Sequence, residues 1–156
     1  MDNCFSKLRF FLILMSGIIL FQSCTKETSD VVPETYINIV LYSDITTQIG
    51  ISQSRIITNT MVPVNSLGYD NNGIIIYRNS QNEYFAYDRT CTYHIEESIA
   101  VNLWTNPMFA VCPKCNTKYQ LFWSGIPADE GPSVYPLKQY KASYNPNTFE
   151  LHITNY

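Results

Sequence analysis

The sequence is poor in charge: Asp, Glu, Lys and Arg make up only 15% of its 156 residues, and like charges nowhere form a block. Ten basic residues against thirteen acidic ones leave a net charge of −3. Neutralising phosphates takes a clustered basic surface, so nucleic acid is excluded as a partner. A serine nucleophile elbow, a phosphate-binding glycine loop and an H-E-x-x-H pair are all missing. Independent catalytic activity is therefore not expected. No window of helical length keeps a 3.6-residue apolar period, which argues against a helical fold. What the chain has instead is apolar and aromatic mass, 46% and 14% of residues, enough to bury a core and to exclude disorder.

The beginning of the chain reads as an address. Lys7 and Arg9 precede a twelve-residue apolar run from Phe10 to Phe21. A bilayer span needs about 20 apolar residues, so the run suits the core of a signal peptide. Gln22-Ser23-Cys24 follows, and a small residue before a cysteine at this point resembles the lipobox of bacterial lipoproteins. The resemblance implies that Cys24 is acylated and becomes the new N-terminus. An ordinary secretory signal with an incidental cysteine is the other reading of the same residues. Residues 25–30 are polar and aperiodic, as in a flexible tether. The expected organisation is a lipoprotein signal peptide over residues 1–23, a tether over 24–33 and a β domain over 34–156. The expected location is the bacterial cell envelope, at the outer membrane, with the lipid on Cys24 in the membrane and an envelope protein as partner.

Beyond residue 31 the composition is that of strands, rich in Tyr, Ile, Val, Phe and Thr. Residues 35–42 place Ile37, Ile39 and Leu41 on one face. Asp70-Asn71-Asn72-Gly73 is a turn signal that launches Ile74 to Arg78, whose apolar part is continuous enough for a buried strand. Further strands are expected over residues 83–87, 101–104, 108–111, 118–122, 138–144 and 148–154. Residues 53–67 read as helix or irregular loop, and residues 94–98 as an irregular loop. Short strands in close succession predict an all-β sandwich or small barrel.

Two loops carry the chemistry. Cys91-Thr92-Tyr93-His94 ends one strand and Cys112-Pro113-Lys114-Cys115 ends another, together C-x2-H-x17-C-x2-C. Ligands two residues apart let a tight turn aim both at one point, and two such turns supply four donors. Three thiolates and an imidazole suit zinc or iron, and spacing does not choose between them. An oxidising compartment would instead favour a disulfide, and the odd count of three cysteines after Cys24 would leave one thiol over. Free thiols are the third alternative.

From about residue 74 to 153 the chain resembles the Rieske iron–sulfur domains. Those carry a C-x-H loop and a C-x-x-H loop, each closing a hairpin of a small β sandwich, under a third loop rich in Gly and Pro. The segment Tyr87-Asp88-Arg89-Thr90-Cys91-Thr92, the pair Cys112-Pro113, and Ser124-Gly125, Gly131-Pro132, Pro136-Leu137 and Tyr140 carry the likeness. Tyr93 stands at the family's first histidine, and His94 follows one position later. Cys115 stands at the second histidine. The resemblance implies a Rieske-like fold, a [2Fe-2S] cluster on Cys91, His94, Cys112 and Cys115, and one-electron transfer. Because Lys7-Leu8-Arg9 is not a twin-arginine signal, the chain would be exported unfolded, which favours zinc or no metal on the far side. If the loops face each other as in the family, the disulfide alternative is Cys91 with Cys112 or Cys115.

The remaining candidates read as structural. His152 alternates out of phase with Phe149, Leu151 and Ile153 and is expected on a solvent face. Tyr93 is expected to fill space rather than donate into the site. Trp104 and Trp123 read as core or loop packing, and Glu96-Glu97 and Asp129-Glu130 as solvated loop acids.

Overall fold

A computed structural model describes residues 31–156. The expected signal peptide, Cys24 and the tether as far as residue 30 lie outside the described residues. Among those described, ten strands form two antiparallel sheets. The strands are β1 (Asn38–Leu41), β2 (Gln53–Ile57), β3 (Ile74–Arg78), β4 (Tyr84–Asp88), β5 (Asn102–Leu103), β6 (Phe109–Val111), β7 (Lys118–Gln120), β8 (Ile126–Pro127), β9 (Gln139–Asn145) and β10 (Glu150–Thr154). The larger sheet runs β1-β10-β9-β4-β3-β2, and the smaller one runs β5-β6-β7-β8. In chain order the smaller sheet is an insertion between β4 and β9, and it carries the second cysteine loop. The expected all-β architecture of short antiparallel strands, with two loop tips that meet, is the one found. No helix among the described residues is long and apolar enough to cross a membrane.

The alternation read in residues 35–42 holds: Ile37, Ile39 and Leu41 are all buried. Ile39 pairs with Ile153 and Leu41 with Leu151 across the β1–β10 ladder, so one face of each strand feeds one core. The continuous run in β3 has a different cause. Ile74 and Ile76 enter the core shared with β1 and β10, while Ile75 and Tyr77 enter a second core beneath the smaller sheet. A strand buried on both faces has no polar side to show.

The expectation for residues 53–67 is half corrected. Gln53–Ile57 is a strand paired with β3, and the remainder is irregular. Its pattern is weak because β2 is the edge strand, and of its five residues only Ile57 is fully buried. A four-residue helix, Ser43–Thr46, was not expected. His152 does lie on a solvent face, but Phe149, read in phase with the buried residues, is exposed at a left-handed turn position with φ 59°.

Candidate metal centre

The first loop leaves β4 and is fixed at its stem. Asp88, fully buried, accepts hydrogen bonds from Thr90 N at 2.8 Å, Tyr69 N at 2.6 Å and the Tyr140 hydroxyl at 2.7 Å. A buried carboxylate with three donors is satisfied without a counter-ion. Arg89 donates from Nε to Val101 O and from its terminal nitrogens to Asn72 O and Asn102 Oδ1. Burial pulls its guanidinium below the usual arginine range. A bridge between Thr90 and Ala100 and the bond from Cys91 N to Ile99 O close the loop. In the sequence Asp88 and Arg89 stand only on the approach to Cys91, with no assigned role. The signal was an adjacent acid and base inside an apolar stretch.

The second loop is the tip of the β6–β7 hairpin. Cys112 N donates to Thr117 O, Asn116 N donates to Cys112 O, and Asn116 takes a left-handed φ of 59°. This tight turn brings Cys112 and Cys115 to the same side. Over both tips lies the third loop, between β8 and β9. Gly131 there has φ 91°, and a Cβ on it would stand 2.3 Å from Thr117 Oγ1, so only glycine allows this approach. Ser133 N donates to the same Thr117 oxygen.

The two tips meet. Sγ atoms of Cys91, Cys112 and Cys115 all lie within 4.8 Å of one another, with Cys91 and Cys112 buried and Cys115 half-buried. Cys91 Sγ and Cys115 Sγ are 3.8 Å apart, and all three are free thiols. The Tyr119 hydroxyl is 3.4 Å from Cys91 Sγ, and Thr117 Oγ1 is 3.2 Å from Cys115 Sγ. Thr92 ties the loops together. Its hydroxyl donates to Tyr135 O at 2.8 Å, leaving its oxygen to accept from Tyr119 at 3.0 Å and Ser133 at 2.6 Å.

The thiols are not equivalent. Burial pushes Cys112 up to about 12, only partly offset by bonds from the backbone of Cys115 and Lys114. Burial also acts on Cys115, but hydrogen bonds from the Thr117 side chain and backbone and from the other two thiols outweigh it and bring Cys115 below the usual thiol value. Tyr119 is raised, chiefly by burial.

His94 stands outside the group of three sulfurs. Its Nδ1 lies 3.1 Å from Glu97 Oε1, and Glu97 also pairs with Lys114. Those two partners hold the Glu97 carboxyl below the usual carboxylate range, the lysine first. Tyr93 is corrected: it is 55% exposed and fills no interior space, its ring meeting His94 edge-on at 4.9 Å. Trp104 and Trp123 are likewise exposed, and Trp104 lies under the Lys118 amine at 4.8 Å. Of the loop acids, Glu97 and Glu130 both carry lysine partners, Lys114 and Lys118.

A [2Fe-2S] cluster needs four ligands shared between two irons. The donor set here supplies three thiols at one point and, among the described residues, no fourth His, Cys, Asp or Glu atom with them. The set therefore suits a metal that accepts thiolates but does not match the two-and-two division of the binuclear cluster.

No protein-family model matches the chain, and no curated protein matches it significantly. Solved structures with a similar backbone include the ferredoxin of carbazole 1,9a-dioxygenase from Nocardioides aromaticivorans IC177, at 13% identity and TM-score 0.48, covering 79% of this chain and all of that one. A complex of reduced oxygenase and oxidized ferredoxin in carbazole 1,9a-dioxygenase matches at 17% identity and TM-score 0.49, covering 74% of this chain and 93% of that one. The terminal oxygenase of carbazole 1,9a-dioxygenase from Novosphingobium sp. KA1 matches at 9% identity and TM-score 0.46, covering 83% of this chain and 32% of that one.

Proposed function

We propose that this chain is a metal-binding lipoprotein of the bacterial envelope, held to a membrane by lipid on Cys24, whose β domain carries a thiolate metal centre on Cys91, Cys112 and Cys115. The carrying observation is the convergence of three sulfurs, from two separate loops, within 4.8 Å. Three thiols side by side repel one another as thiolates, and a bound cation turns that repulsion into attraction. Bound there, a metal would cross-link the two loops and, if iron, supply a one-electron couple. The chain's own part is to aim the sulfurs through Asp88, Arg89 and Asn116 and to cover them with the third loop.

A second reading, one-electron transfer to an envelope partner, is favoured by the partial exposure of the site at Cys115. Cys115 is half-buried, and Tyr93, Val134 and Tyr135 on the neighbouring tips are exposed. Under that reading the metal is iron held by the three thiolates, and an envelope protein is the partner.

Metal and labile-sulfide analysis of the purified protein, prepared with reductant, tests the proposal. Metal bound to the wild type and lost from Cys91→Ser and Cys115→Ser is the expected result. Absence of any bound metal, or binding that survives both changes, overturns it. Anchoring is tested separately: Cys24→Ala should abolish labelling by a fatty acid and move the protein out of the membrane fraction.

A further inference from the structure

Separation of the sulfurs fixes how many metal atoms fit among them. Around one tetrahedral ion with metal–sulfur bonds of about 2.3 Å, neighbouring sulfurs lie about 3.8 Å apart. Cys91 and Cys115, which come from different loops, are 3.8 Å apart, and no pair in the group exceeds 4.8 Å. Ligands of two different irons must be further apart than ligands of one, because the iron–iron vector separates them. In the Rieske pattern two cysteines hold one iron and two histidines the other, so Cys91 and a ligand at position 115 would belong to different irons. Here they approach as partners on one atom.

Resting on the metal-binding reading above, we propose that Cys91, Cys112 and Cys115 hold a single thiophilic divalent cation, with its fourth position filled by an exchangeable ligand from solvent. Neighbouring polar groups already have partners. His94 faces Glu97, Thr117 Oγ1 accepts from Ser133 N and contacts Cys115, and the Tyr119 hydroxyl is shared between Thr92 and Cys91. Cys115 is half-buried while Cys91 and Cys112 are buried, so solvent would reach the ion from the Cys115 side. Three protein ligands with one open position is the arrangement in which zinc binds an exogenous molecule rather than serving only as a cross-link. The open position suits a small donor, such as a thiolate, an imidazole or water.

Cobalt(II) added to the purified, reduced, metal-free protein is the probe. Binding of one cobalt per chain, with sulfur-to-cobalt charge-transfer absorbance and the intense visible bands of four-coordinate cobalt, is expected. Zinc should displace it one for one. Added imidazole should shift the visible bands, because it enters the open position. His94→Ala should bind cobalt with unchanged stoichiometry and spectrum. Two irons with labile sulfide per chain after reconstitution would overturn the single-ion proposal while leaving the metal-binding reading intact, whereas failure to bind any metal would overturn both. An unchanged spectrum with imidazole, or loss of the bands in His94→Ala, would show that the protein supplies the fourth ligand and would overturn the open position.

Discussion

On one side of β3 the core is aliphatic: Ile37, Ile39, Leu41, Ile57, Leu67, Ile74, Ile76, Leu151 and Ile153 pack together with Ala86 and two tyrosines. On the other side, beneath the smaller sheet, the buried set includes Tyr77, Tyr87, Tyr119, Cys91 and Cys112, with Ala110 and only a few aliphatics. Strand length follows the same division. The larger sheet has ladders of four and five residue pairs everywhere except between β4 and β9, which share two, whereas β5 to β8 are two or three residues long. Apolar burial can carry the first region by itself. Ladders as short as those of the second cannot, so its geometry depends on side-chain hydrogen bonds such as Tyr87 Oη to Leu121 O at 2.7 Å, and on whatever joins its sulfurs.

The sharpest way to break this contrast is to damage the aliphatic core. Ile76→Ala removes a fully buried side chain between β2 and β4 and should cost about 2–5 kcal/mol of unfolding free energy, whether or not metal is present. Denaturant unfolding with and without added zinc checks it. Next in size is the metal itself. A ligand bound only by the folded chain stabilises it by about 2.7 kcal/mol at a hundredfold excess over its dissociation constant. Zinc should raise the wild-type melting temperature accordingly and leave Cys112→Ser unmoved. Because protons compete for the thiolates, that increment should shrink as pH falls, and calorimetry at two pH values reads it.

A smaller effect tests the hydrogen bonds that replace long ladders. Thr92→Val keeps the shape but removes the hydroxyl that joins Tyr119, Ser133 and the Tyr135 carbonyl, leaving buried polar groups short of a partner. A loss of about 1–3 kcal/mol is expected. The same change should increase alkylation of Cys115 by loosening the covering loop, and a thiol-reactivity assay detects it.

The two regions also differed in how they could be read from sequence. Alternation in residues 35–42 and the continuous run of β3 placed two strands of the larger sheet, because burial on one or both faces leaves a period. Strand β2 escaped notice since an edge position asks little of Gln53, Ser54 and Arg55. The metal centre was legible as spacing: both C-x2 pairs marked turns, and three of the four candidate donors do converge. His94 was not separable from them in sequence, since its ring is drawn to Glu97 by a contact three residues along the same loop. Tyr93 misled for a related reason: a tyrosine beside a cysteine loop reads as filling space, but its ring lies outside against His94.

The smallest expected effect concerns the seam where the start of the described chain meets β9. The Lys138 amine, its side chain 3% exposed, contacts Glu34 Oε2 at 2.7 Å and Val32 O at 3.2 Å. Asn155 bonds the other Glu34 oxygen. Hydrogen bonding to Lys138 holds the Glu34 carboxyl below its ordinary value against a weaker opposing effect of burial. A depressed folded-state value means that the contribution is present above the unfolded carboxylate range and disappears as pH falls through the folded one. Glu34→Gln should therefore lower stability slightly at pH 7 and make no difference once the wild-type carboxyl is protonated. Glu34 is 68% exposed, so solvent screening limits the change to a few tenths of a kcal/mol. Lys138→Met tests the opposite partner, whose burial makes its surroundings less forgiving. Melting curves for both variants between pH 7 and pH 3 separate the two, and a pH-independent difference for Glu34→Gln would show that the ion pair does not set the acid limb. Because residue 138 follows directly on the loop that covers the sulfurs, any change in cobalt affinity in Lys138→Met would mean that the two regions are coupled through this seam.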